Sequence, residues 1–122
     1  MATDHPNLPI KYDWPLGEFY KTEMDNNLIT LGNLAQIAVL STAIATPPAS
    51  PNNGDRYIVA AAANAAWLDQ SGKLAVFING IWIFYPPQLG WLAYVIDTDK
   101  LVCYKTTGWS VGINVWYEIP AL

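Results

Sequence analysis

Charge is the scarcest feature of this chain. Of 122 residues, 6 are Lys or Arg and 10 are Asp or Glu, 13% in all, about half the ~25% usual for a soluble domain. No charge occurs between Asp25 and Asp55, between Arg56 and Asp69, or between Lys73 and Asp97. A small domain exposes a large share of its surface, so stretches this bare need a cover, either a bilayer or partner subunits. The few cations, Lys11, Lys21, Arg56, Lys73, Lys100 and Lys105, are scattered and the net charge is -4. Binding to nucleic acid by neutralising phosphates is therefore not expected.

Other shortages exclude other chemistry. Cys103 is alone, so one chain holds no disulfide framework, and it reads as a packed core thiol. His5 is alone too, which leaves no Ser-His-Asp set and too few ligands for a metal. Asp97 and Asp99 are spaced i, i+2, but "DTDK" reads as a solvated turn rather than an acid pair flanking a glycosidic bond. No glycine run has the form of a phosphate loop. The expectation is a protein that is not an enzyme and has no cofactor. Long apolar runs are also missing. The strongest membrane candidate, residues 28–45, barely reaches spanning length and carries Gly32, Asn33, Gln36, Ser41 and two Thr. No membrane insertion is expected, and the opening "MATDHPNLPIKYDWP" has no apolar leader segment. Subunits are the preferred cover.

What is present is apolar and aromatic: 52% hydrophobic residues, with 6 Trp, 7 Tyr and 3 Phe. Residues 1–21 read as an extended arm, because Pro6, Pro9 and Pro15 oppose a helix. Tyr12, Trp14, Phe19 and Tyr20 give that arm a surface for docking, either back on its own domain or on a partner. Residues 22–45 read as one helix opened by a capping box, Thr22 to Asp25. Leu28, Leu31, Leu34, Ile37, Leu40 and Ile44 wrap it at helical spacing. A helix apolar nearly all round is buried all round, which suits an oligomerisation helix, with Gly32-Asn33 a place where it breaks or kinks.

After the turn-rich "TPPASPNNGD", residues 46–122 read as a small antiparallel β domain. Strands are predicted near 56–60, 74–79, 81–85, 91–96, 100–105 and 114–118, and Asn79-Gly80 marks a hairpin. An internal duplication runs through them. Lys73-Leu74-x-x-Phe77 recurs as Lys100-Leu101-x-x-Tyr104, and Trp82 as Trp109, at an offset of 27 residues. Pro51-x-x-Gly54 recurs as Pro87-x-x-Gly90 at an offset of 36, so the first copy holds an extra loop around 61–72. Strands 81–85 and 91–96 are apolar on both faces, which predicts sheets covered twice. The fold class expected is mainly β: an arm and one helix, then a sandwich-like two-unit repeat, intertwined as a trimer. Trp and Tyr also stack on sugars, and Trp91, Trp109 and Tyr94 are the candidate glycan-binding residues.

"PPASPNNGDRYIV", "AAW" and "GKLAVFINGIWIFYPPQLGWLAYV" together resemble an uncharacterised domain of tail-fibre and host-specificity proteins in bacteriophages and gene-transfer agents. Pro51, Gly54, Asp55, Tyr57, Ile58 and Val59 fit the first block, and Ala66 and Trp67 the second. Gly72, Leu74, Ala75, Phe77, Gly80, Trp82, Phe84, Pro87, Gly90 and Trp91 fit the third. The resemblance covers residues 35–110, and "AAAANAAW" departs from it, since relatives have glycines before Ala-Trp. It implies a virion protein of the tail or baseplate, assembled in the host cytoplasm as a homotrimer. Residues 1–21 would dock on a tail or baseplate protein, and a host-surface glycan is a further expected contact. The resemblance brings no catalytic residues.

Overall fold

The structure is a computed structural model that describes residues 2–112. The chain divides into two compact units, residues 1–36 and 37–122. The predicted strand at 114–118 lies outside the described residues.

In the first unit, β1 (Thr3–Asp4) and β2 (Lys11–Tyr12) form a two-residue antiparallel ladder. Lys11 bonds Asp4 across it. α1 (Lys21–Leu34) follows. The expected capping box does not form: the N-cap is Tyr20, which makes no side-chain cap bond. Thr22 lies inside the helix, and Lys21 bonds Asp25 one turn on at 2.6 Å. The residue that fastens α1 is polar. The Asn27 amide donates to Lys11 O at 2.7 Å and accepts from Lys11 N–H at 2.9 Å. The backbone N–H and C=O of Lys11, which lie on one edge of β2, are both satisfied, and so is the Asn27 amide, which is why Asn27 can be buried.

The expected helix over 22–45 is corrected by the structure, because α1 ends at Leu34. Ala35 is extended and Gln36 turns left-handed at φ +46°. Ala38–Val39 then form a strand, β3. The helical spacing of Ile37, Leu40 and Ile44 loses to long-range β pairing. No described helix is long and apolar enough to cross a membrane.

The second unit is built from two three-stranded antiparallel meanders. The first is β4 (Arg56–Ile58), β5 (Leu74–Ile78) and β6 (Ile81–Tyr85). The second is β7 (Leu92–Val95), β8 (Lys100–Lys105) and β9 (Gly108–Val111). β9, not expected as a strand, completes the duplication. The two registers coincide position by position. Arg56↔Val76, Tyr57↔Ala75 and Ile58↔Leu74 in the first match Leu92↔Cys103, Ala93↔Val102 and Tyr94↔Leu101 in the second. On the other side, Phe77↔Trp82 matches Tyr104↔Trp109.

The turns match as well. Gly54 N–H donates to Phe77 O at 2.6 Å and Gly90 N–H to Tyr104 O at 2.9 Å. Phe77 N–H returns to Asp55 O and Tyr104 N–H to Trp91 O. Two residues thus oppose one, and the first has φ +92° at Gly54 and +91° at Gly90. That is a glycine β-bulge, and it gives the physical reason for the Pro-x-x-Gly repeat: only glycine takes that φ without strain. Asn79 (φ +53°) and Gly80 (φ +83°) form the two-residue hairpin turn expected of Asn-Gly.

One segment serves both meanders, and it makes the second sheet mixed rather than purely antiparallel. β3 pairs in parallel with β7, Tyr94 N–H donating to Ile37 O and Ile96 N–H to Val39 O. Immediately after, Leu40 N–H donates to Arg56 O and Ile58 N–H to Ser41 O. The backbone strap 37–41 therefore hands over from β7 to β4.

Candidate functional site

The two meanders differ in what covers them. On one face of the first, Tyr57, Val59 and Ala75 are buried with Trp67, and Leu40, Ile44, Ala63, Trp82 and Phe84 pack against them. Trp67 sits on a short 3-10 turn, Ala65–Trp67, inside the extra loop. Its ring lies 5.2 Å from Trp82 and 5.5 Å from Tyr57. On the opposite face, Ile58, Leu74 and Val76 are at most 3% exposed. Both faces are covered, as the two-sided apolar pattern implies.

The second meander departs from that expectation. Ala93, Val95 and Val102 are buried. The alternate residues Leu92 (43%), Tyr94 (39%), Ile96 (50%) and Leu101 (40%) are exposed. The partners Leu92↔Cys103 and Tyr94↔Leu101 share this outer face. Cys103 is thus half-buried on an apolar sheet surface rather than a core thiol.

The three glycan candidates do not converge. Tyr94 is on the outer face. Trp109 pairs with Tyr104 (ring centroids 5.2 Å apart), and the bulge sets Trp91 opposite Tyr104. Strand alternation puts this row of Trp91, Tyr104 and Trp109 on the Ala93 face, opposite to Tyr94. Trp109 is further tied down by its indole N–H, which donates to Gly72 O at 2.8 Å. Tyr104 belongs beside Trp91 and Trp109, and only the register of β8 reveals it. The repeat partner of Trp109, Trp82, is a core residue. Asp97 and Asp99 lie in an exposed turn.

The six oligomer candidates are also divided. Leu28 and Leu31 are exposed on α1 at 60% and 41%, and Leu34 is half-buried. Ile37, Leu40 and Ile44 are not helical and belong to the second unit, where Leu40 and Ile44 pack on its aromatic core. They form no continuous helical stripe.

Of the arm residues, Trp14 and Tyr20 meet at 5.8 Å between centroids, Tyr12 stands edge-on to His5, and Phe19 is 80% exposed. A groove of about 410 Å³ is lined by Glu18, Phe19, Tyr20, Lys21, Met24 and Asp25. Among the described residues no group of three His, Cys, Asp or Glu could hold a metal ion.

No curated protein matches the chain. A family profile matches residues 24–110, reaching from α1 to β9 and so taking in both meanders and the strap between them. The chain belongs to that family, whose description is "Protein of unknown function (DUF2793)".

Proposed function

We propose that the protein is a structural, non-enzymatic virion component: a short phage tail fibre, trimeric and intertwined, that joins the tail or baseplate and contributes to attachment to the host surface. The tail-fibre context rests on the resemblance of the Pro-x-x-Gly-Asp, Ala-Trp and Gly-Trp blocks. The observation that carries self-association is the exposure of large apolar side chains in a chain with so little charge. Leu16, Phe19 and Leu28 in the first unit, and Leu92, Ile96 and Leu101 in the second, are 40% exposed or more. On the second sheet Leu92, Tyr94 and Leu101 share one face, and contiguous exposed apolar surface marks interaction sites. The arm residues Tyr12, Trp14, Phe19 and Tyr20 are the attachment to the particle. Light scattering tests the assembly: a single chain weighs 13.5 kDa, and a species of that mass at micromolar concentration overturns the trimer. Removing residues 1–20 tests the docking, the expected outcome being a folded oligomer that no longer enters the particle.

A second reading, a non-catalytic carbohydrate-binding module, is favoured by the row of Trp91, Tyr104 and Trp109 across one sheet face. A glycan array with Trp91→Ala and Trp109→Ala separates the two, since binding abolished by both substitutions supports a sugar platform.

A further inference from the structure

We infer that the outer face of the second sheet, made by Leu92, Tyr94, Ile96, Leu101 and Cys103, is where a second copy of this chain packs, each copy placing this face on the symmetry axis of the assembly. The inference rests on the self-associating reading above and adds the location of the contact.

Three observations carry it. The first is the duplication. Tyr94, Leu101 and Cys103 occupy the register positions of Ile58, Leu74 and Val76. The first meander buries those three completely within its own chain. The second keeps the apolar residue types, with Tyr94 and Leu101 exposed and Cys103 half-buried. A face selected for solvent in an antiparallel sheet alternates to polar residues, and this one does not.

The second observation is charge. A surface on a symmetry axis meets its own copies, so any charge at its centre would face a like charge at short range. None of the five residues at the centre of the face is charged. Asp97 and Asp99 lie at one end, in the β7–β8 turn, and Lys105, the last residue of β8 and on the same face, lies at the other, next to the β8–β9 turn. This is the layout of an association surface, apolar at the centre and polar at the rim.

The third is the poverty of hydrogen-bonding groups. The centre of the face offers the Tyr94 hydroxyl, the Cys103 thiol and, across from it on β9, the Ser110 hydroxyl, with the Lys105 ammonium at the rim. Recognition of a sugar or a phosphate needs several convergent donors and acceptors, whereas packing against an identical apolar face needs none.

The test compares the full-length chain with Leu101→Asp and Leu28→Asp by light scattering, with far-UV circular dichroism alongside. The wild type is expected at three times the chain mass. Leu101→Asp is expected at one chain mass with an unchanged spectrum, because Leu101 is already exposed. Leu28→Asp is expected at the wild-type mass. A folded Leu101→Asp protein that stays trimeric overturns the location and leaves self-association standing. A monomeric wild type overturns both. If Leu101→Asp does not fold, the native thiol gives a second measurement. A short bismaleimide should join chains of the wild type through Cys103 and leave Cys103→Ser unjoined. Absence of joined chains from an oligomeric wild type overturns the proposal.

Discussion

The two meanders of the second unit share a register, a bulge and a cross-strand aromatic pair, yet only one of them is closed. In the first, β4 and β5 are separated by a loop long enough to carry Trp67 back over Tyr57 and Trp82. In the second, β7 and β8 are joined by the short turn 96–99. Where Tyr57 and Phe84 stand in the first, the smaller Ala93 and Val111 stand in the second, and Ala93 is buried without such a loop; the face left open is the opposite one, equivalent to Ile58, Leu74 and Val76. The difference shows that a backbone plan can be duplicated without duplicating its core. What surrounds a sheet, rather than its ladder, decides which apolar positions are stability and which are surface.

The comparison can be broken most forcefully at Trp67. Its side chain is fully buried, and truncation of a buried Trp costs about 3–5 kcal/mol. Trp67→Ala should therefore lower Tm by more than ~10 °C, and a smaller shift in a calorimetric scan would mean that the loop is not the cover it is argued to be. A sharper version uses one register position in both copies. Leu74→Ala should cost about 2–5 kcal/mol in denaturant unfolding. Leu101→Ala, at the equivalent place, should change the stability of a single chain by less than ~0.5 kcal/mol. Its effect should surface only as a change in the concentration dependence of unfolding. Equal losses at the two positions would erase the distinction between closed and open sheets.

The smallest effect expected is in pH dependence. Burial pushes the Tyr57 hydroxyl above its ordinary value of 10.0, with the Asp55 charge adding to the shift. The folded state then holds the proton more tightly than the unfolded chain does. Stability from this group is complete below pH 10 and is lost as pH rises through the shifted value. Ala93, its counterpart, has nothing to titrate. Tyr57→Phe should flatten the decline of Tm above about pH 10, and an unchanged decline would place the alkaline sensitivity elsewhere.

Much of this was legible because it is local. Asn79-Gly80 announces its hairpin through backbone chemistry, and the offset between Phe77–Trp82 and Tyr104–Trp109 survives as two equivalent ladders. The end of α1 was not legible. From Ile37 to Ile44 the apolar residues keep helical spacing, but that segment finds backbone partners in β4 and β7, and pairing across so great a sequence distance leaves no periodic trace. Strand β9 was hidden because it is only four residues long and opens on a glycine after Thr106-Thr107, so that Gly108-Trp109-Ser110 reads as turn although Trp109 and Val111 alternate with Gly108 and Ser110. The glycan candidates were split for a related reason. Strand alternation alone separates Tyr94 from Trp91, while placing Tyr104 beside Trp109 requires the register of β8. Asn27 gives no sequence signal at all, since a buried amide that clamps Lys11 reads like any polar residue on a helix.

The strap at 37–41 has a consequence for how the unit comes apart. Each meander is a chain of nearest-neighbour hairpins and on its own could fray independently. Because consecutive residues of one short segment accept or donate backbone bonds to both β4 and β7, detaching it exposes the edges of both at once. The two copies are thereby coupled into a single cooperative unit, in which losing one weakens the other through a shared seam of peptide groups, in addition to the side-chain bond from Trp109 to Gly72 O.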